Sequence, residues 1–167
     1  MFGMFKKNKK ADSNVSTDIY AVATGEVVSI DKVNDPVFSQ KMMGDGFAVI
    51  PTSGDVYSPV AGEIMSIFPT KHALGIRMAS GLEILLHMGI DTVELGGEPF
   101  DIKVKEGDKV SANTLIAKID LAFLANASKP NDLVVAITNT ADNLESLTLT
   151  KTGTASAGEV IGNVKAK

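Results

Sequence analysis

The sequence predicts an all-β protein, a barrel-like sandwich with a few short helical turns. Many short runs are rich in β-branched and other apolar residues, Gly, Pro, Asn and Asp interrupt them every 8–12 residues, and helical periodicity is nearly absent. In chain order the strand candidates are AVATGEVVSI (21–30), GDGFAVIP (44–51), DVYSPVAGEIMSIF (55–68), LGIRM (74–78), LEILLHMGI (82–90), DIKVKEG (101–107), TLIAKID (114–120) and LVVAIT (133–138). DPVFSQKMM (35–43) and LAFLANASKP (121–130) are the only stretches that suit a turn of helix. A small-Gly-Glu-apolar pattern recurs as TGEVVSIDKV at 24–33, AGEIMSIFPT at 61–70 and AGEVIGNVKA at 157–166. In each copy the glycine allows a tight turn or close backbone approach before a strand.

At 167 residues, 44% hydrophobic and 22% charged, the chain suits one domain with a real core. A net charge of −4 argues against nucleic acid as a partner. The absence of cysteine removes disulfides, thiolate metal sites and thiol nucleophiles. No apolar run approaches the ~18 residues of a membrane-spanning helix. The first ten residues, MFGMFKKNKK, hold four of the sixteen basic residues and no acid, leaving twelve bases against twenty acids, or −8, over residues 11–167. Residues 1–18 are expected to form a mobile tail, with residues 1–10 able to touch an anionic membrane surface weakly. Residues 19–167 are expected to form the single folded domain.

The two histidines, His72 and His87, flank one hairpin: LGIRM, a turn around Ala79, Ser80 and Gly81, then LEILLHM. A two-residue loop of Ala79 and Ser80 sets the histidines directly opposite each other. A loop of Ser80 and Gly81 puts them on a diagonal of the same face, and a three-residue loop sends them to opposite faces. The first two registers bring the Cβ atoms within roughly 5–8 Å. A facing pair has three readings. Each ring can be an ordinary half-buried residue, although an imidazole inside LEILLHMGI is costly to bury unless bonded or used. The pair can bind zinc, but a catalytic zinc wants about three protein ligands and the nearest third is Asp91. Or one neutral imidazole can attack phosphorus while the other donates to the phosphoryl oxygens. No nucleotide cradle accompanies them: GTASAGEV (153–160) has P-loop-like glycines with Glu159 where the lysine belongs, so the phosphoryl donor would be another phosphoprotein.

GLEILLHMGIDTVEL (81–95), TKHAL (70–74) and KMMGDGFAVIPT (41–52) resemble the glucose-family IIA component of the bacterial phosphoenolpyruvate-dependent sugar phosphotransferase system, and the likeness runs from about Ile19 to Val164. The resemblance implies an antiparallel β-sandwich of the barrel-sandwich hybrid type (a duplicated hybrid motif) with a shallow active-site depression. It implies that His87 accepts the phosphoryl group, as tele-phosphohistidine, from the phosphocarrier HPr and passes it to a cysteine of a sugar-specific IIB domain. His72 would hydrogen-bond the phosphoryl group and Thr70 would orient His72. Asp35 and Asp91 match acidic positions that meet basic partner residues. Val37, Phe38, Met42, Met43, Phe68, Leu85 and Val93 match an apolar ring that keeps water from a labile P–N bond and forms a docking patch. Lys71 departs from the pattern, standing where relatives often carry a small polar residue. No cofactor is required by this likeness. Zinc shared by His72 and His87 with a partner is known among enteric relatives, which also regulate permeases, glycerol kinase and adenylate cyclase. The implied protein is a free-standing, cytoplasmic monomer, at most peripheral to the inner face of the cell membrane.

Two rivals share this barrel. YSPVAGEIMSI followed by VKEGDKVSANTLIAKI looks like the half-motifs of biotinyl or lipoyl carrier domains, but TKHAL and LLHMGID stand where such a carrier needs an exposed hairpin lysine. A lysostaphin-like zinc peptidase needs more histidines than this chain has.

Overall fold

The computed structural model describes residues 17–167. Most of the expected tail, with its proposed membrane contact, lies outside the described residues; Asp18, the last tail position, already opens a strand.

Among the described residues fourteen strands follow in order: β1 Asp18–Tyr20, β2 Gly25–Ser29, β3 Asp45–Pro51, β4 Asp55–Tyr57, β5 Gly62–Ile67, β6 Ala73–Arg77, β7 Glu83–Met88, β8 Phe100–Ile102, β9 Lys109–Val110, β10 Leu115–Ile119, β11 Leu133–Ile137, β12 Leu144–Leu149, β13 Gly153–Ala155 and β14 Val160–Ala166. They form an eight-stranded sheet in the order β13-β2-β3-β11-β7-β6-β5-β9 and two three-stranded sheets, β1-β14-β12 and β4-β10-β8. All pairings are antiparallel. The all-β antiparallel sandwich expected from the sequence is therefore the observed fold. The helical turns fall at Pro36–Ser39 and Leu121–Asn126 as expected, with a further one at Thr140–Asn143.

The run at 55–68 divides into two strands because Pro59 cannot extend a ladder. Ser58 ties the break: its buried Oγ donates to the Val60 carbonyl at 2.6 Å. The repeated glycines mark strand entries, with Gly25 and Gly62 opening β2 and β5, and Gly158 just ahead of β14.

One large core fills the space between the sheets, built on Val27, Phe47, Val49, Leu74, Ile76, Ile84, Leu86, Met88, Leu133, Val135 and Ile137 from the large sheet and Val56, Ile116, Ile161 and Val164 from the smaller ones. A second, smaller cluster lies on the opposite face of the large sheet, where Ile30, Val33 and Phe38 pack over Ala48, Val134, Ala136 and Ile90. Ile30–Lys32 is a 3-10 turn leading into Pro36–Ser39, so the 30–39 segment lies across the sheet's outer face. Asp35 starts the helical turn as its N-cap, accepting from the Val37 amide at 3.0 Å, and Pro36 stands at the first helical position.

Candidate functional site

His87 emerges on that outer face within one cross-strand row. The register pairs Val28 with Ala48, Ala48 with Val134, Val134 with His87 and His87 with Ala73. One step along, Leu85 lies between Ala136 and Gly75. Small side chains, Ala136, Ala73 and Gly75, flank β7 on this face, and the imidazole stands there half-buried.

The β6–β7 hairpin takes the three-residue loop, the register expected to separate the histidines. Met78 and Leu82 close around Ala79, Ser80 and Gly81, with Gly81 left-handed at φ 94°. A left-handed glycine at the third loop position is the usual way to make such a turn. The rings nonetheless meet, because His72 lies just ahead of β6 and strand alternation does not govern it. Lys71 is left-handed at φ 60°, its amide bonds back to the Phe68 carbonyl at 2.7 Å, and the chain bends there. Four rings then run edge to face: Phe38 to His87 at 5.1 Å between centroids, His87 to His72 at 5.0 Å, and His72 to Phe68 at 5.5 Å.

His87 Nδ1 lies 2.7 Å from the Gly89 carbonyl oxygen. A carbonyl only accepts, so Nδ1 carries the proton and Nε2 of the neutral ring keeps its lone pair. Thr70 Oγ1 lies 2.7 Å from His72 Nδ1, a bond that either group can donate. Burial pushes the His87 pKa below the ordinary imidazole value against the opposing pull of the Gly89 carbonyl, Asp35 and Asp91. Burial also lowers His72, helped by the charge that His87 would carry. Both rings therefore favour the neutral form at pH 7.

Val37, Met42, Met43, Phe68 and Val93 are exposed, Met42 to 68%; the other large exposed apolar side chains among the described residues are Ile50 and Val160. Of these, Phe68 lies against His72, and Val37 adjoins Phe38, which lies against His87. Phe38 and Leu85, expected in the same ring, are buried rather than exposed. Asp35 and Asp91 both act electrostatically on His87. Lys71, which departs from the family pattern, runs along Gly97 and its charge is felt by Asp101, not by either imidazole. Among the described residues no group of three or more His, Cys, Asp or Glu is placed to hold a metal. The two imidazoles are suitable zinc donors in kind, and a tetrahedral site on them would need ligands from another chain.

Sequence reasoning missed the backbone. Gly89, which supplies the acceptor for His87, reads in the sequence only as part of the apolar run LEILLHMGI. The non-glycine residues with positive φ among the described residues are Lys41, Lys71, Asp91 and Ser128. Lys41 follows the helical turn that carries Phe38, Lys71 precedes His72, Asp91 follows His87, and Ser128 begins the segment whose Pro130 and Asp132 carbonyls accept from Ile90 and Gly89. Such conformations cluster where surrounding structure holds a functional geometry.

A family model described as phosphoenolpyruvate-dependent sugar phosphotransferase system, EIIA 1, matches residues 17–143. A "PTS system glucose-specific EIIA component" of Staphylococcus aureus is 45% identical over 137 residues, 82% of this chain and 81% of that protein. The "PTS system glucose-specific EIICBA component" of Streptococcus pneumoniae is 47% identical over 152 residues, 91% of this chain but only 21% of that protein, so the chain spans about a fifth of it. The solved structure of glucose permease IIA from Mycoplasma capricolum superimposes with a TM-score of 0.78 at 36% identity, covering 87% of this chain and 93% of that one. No helix among the described residues is long and apolar enough to cross a membrane. With the histidine hairpin, the antiparallel sandwich and a matching model over most of its length, the chain belongs to the EIIA type 1 family of the phosphoenolpyruvate-dependent sugar phosphotransferase system.

Proposed function

We propose that the chain is a phosphocarrier of sugar uptake in which His87 takes a phosphoryl group from phosphorylated HPr and hands it to a cysteine of a IIB domain. The observation that carries this reading is the bond from His87 Nδ1 to the Gly89 carbonyl, which leaves Nε2 as a nucleophile on a neutral ring beside a second imidazole. The Nε2 lone pair forms the new N–P bond while the donor's bond to phosphorus breaks, its electron pair leaving with the donor. In the second step the IIB thiolate forms an S–P bond and the pair returns to Nε2.

His72 stabilises the charge spread over the three phosphoryl oxygens. With the Thr70 hydroxyl donating to Nδ1, its Nε2–H is free to donate to them. Thr70 in this reading fixes the tautomer of His72 as the Gly89 carbonyl fixes that of His87. The exposed rim of Val37, Met42, Met43, Phe68 and Val93 seats both partners in turn and excludes water, and methionines adapt readily to two surfaces. Buried Phe38 and Leu85 support that rim from below. Asp35 and Asp91 attract basic residues around the donor and acceptor sites. The carrier works as a monomer on the cytoplasmic side, where its donor and acceptor meet, and requires no cofactor. Zinc at the two histidines, with regulatory targets supplying further ligands, is a separate use of the same donors.

The test is incubation with phosphoenolpyruvate, enzyme I and HPr, followed by mass spectrometry of the intact chain. Wild type should gain one acid-labile, base-stable phosphoryl group, and His87→Ala should gain none. His72→Gln should still accept the group but deliver it poorly to IIB. A phosphoryl group that persists in His87→Ala would overturn the assignment.

A further inference from the structure

The loop after β7 contains a buried hydroxyl with no part in the chemistry above. Thr92 is 0% exposed, and its Oγ1 donates to the Met88 carbonyl at 2.6 Å. The Met88 amide still reaches across to the His72 carbonyl at 2.7 Å. The hydroxyl therefore takes the Met88 carbonyl at the point where His72 leaves the β6–β7 ladder.

The same side chain bears on Gly89. Gly89 is left-handed at φ 84°, and a Cβ there would fall 2.5 Å from Thr92 Cγ2. The Gly89 amide donates to the Asp132 carbonyl at 2.8 Å and the Ile90 amide to the Pro130 carbonyl at 3.1 Å. Both peptide planes around Gly89 are thus clamped. Thr92 and Asp132 hold the first at its C=O and N–H, and Pro130 holds the second at its N–H. The Gly89 carbonyl is left pointing at His87 Nδ1. Lys129 pairs with Glu94 at 2.8 Å and tethers the 128–132 segment to the 3-10 turn Thr92–Leu95 that carries Thr92.

We propose that Thr92 is a positioning residue for His87: by holding the Met88 carbonyl, its hydroxyl fixes the direction of the Gly89 carbonyl and so keeps the proton on His87 Nδ1. The inference deepens the phosphocarrier reading and rests on it. The hydroxyl matters here beyond its volume, because without it the Met88–Gly89 peptide keeps only its Asp132 bond, and turning of that plane at Gly89 is passed to the next one, whose carbonyl faces His87 and which the single bond to Pro130 then holds alone. The Nδ1–H···O=C bond that selects the tautomer would then be made only part of the time.

The experiment compares Thr92→Val, which keeps the shape and removes the hydroxyl, with Thr92→Ser, which does the reverse. Nitrogen-15 NMR of the His87 ring should report an Nδ1–H tautomer in wild type and Thr92→Ser, and a mixture of tautomers in Thr92→Val. Phosphoryl acceptance from phosphorylated HPr should fall about tenfold in Thr92→Val, the scale of one lost hydrogen bond, and recover in Thr92→Ser. A folded Thr92→Val with wild-type ring shifts and rate would overturn the proposal. Should Thr92→Val fail to fold, a folded Thr92→Ser with mixed tautomers would overturn it equally. The ring shifts need no phosphoryl donor, so a wild type that accepts no phosphate would sink the functional reading while leaving the tautomer result standing.

Discussion

The two faces of the eight-stranded sheet are built from the same strands and differ in every respect that matters for function. On the inner face Leu74, Ile76, Ile84, Leu86, Met88, Leu133, Val135 and Ile137 interdigitate with the smaller sheets. On the outer face the alternate positions carry Ala73, Gly75, Leu85, His87, Val134 and Ala136, and the 30–39 segment packs over part of them. Large branched side chains on one side provide the stability. Small ones on the other, Ala73, Gly75 and Ala136, flank His87, whose ring meets His72 and Phe38 edge to face. The strands thus separate the energetics of folding from the geometry of the site, and substitutions on the two faces should fail in different ways.

The largest effect on stability should come from the inner face. Leu86→Ala removes a fully buried side chain and should cost about 3 kcal/mol in urea unfolding, by lost burial plus a residual cavity. Val93→Ser, on the exposed rim, should change stability by no more than about 0.5 kcal/mol while slowing phosphoryl exchange with HPr. Equal destabilisation by the two would break the division of labour between the faces. Filling the outer face should give an intermediate result. Ala136→Leu places extra volume beneath Phe38 and should cost about 1–3 kcal/mol by overpacking. Because Phe38 stacks edge-on against His87, the ring resonances of His87 should shift with it.

How much of this was legible differs by face as well. Inner-face strands such as LEILLHM and LVVAIT announce themselves because period-two alternation and dense apolar residues are written in the chain. The C-terminal β12 and β13 went unread, since LESLTL and GTA are short and half-exposed and take their structure from β14 and β2. The hairpin register is the instructive failure. Ala79-Ser80-Gly81 could have been recognised as a three-residue loop from its terminal glycine, but alternation alone would then have placed His72 in the core. What restores the pair is a bend at a left-handed lysine, and no residue preference signals that at position 71. His72, His87 and the nearby Asp91 stood out from the hairpin itself, whereas Thr70 and Asp35 came from resemblance. The Gly89 carbonyl and the Thr92 hydroxyl required coordinates, because a backbone acceptor leaves no mark on composition.

That left-handed lysine supplies a smaller test. Lys71→Asn puts a residue that tolerates positive φ at the bend and should raise stability by about 1 kcal/mol, or roughly 3 °C in Tm. A stabilised variant whose histidine resonances keep their positions would show that the bend, and not the lysine side chain, brings His72 to His87. Movement of the His72 resonance instead would assign the side chain along Gly97 a share in the geometry.

The smallest expected effect is a dependence of stability on pH that belongs to the outer face alone. Both histidines have pKa values lowered by burial in the folded state, whereas the unfolded chain titrates near the ordinary value of about 6.5. Between the lowered and the ordinary values the unfolded chain binds more protons than the folded one, so stability rises with pH across that window and is level above it. Stability measured by unfolding should therefore fall as pH drops below about 6.5, and a His72→Gln, His87→Gln double variant should lose that slope. Asp132 does not confuse the reading. Burial raises its carboxyl pKa, so its contribution has the opposite sign and begins nearer the carboxylate range. A slope that survives in the double variant would mean that the imidazoles titrate alike in both states, and that the fold shelters them less than their burial implies.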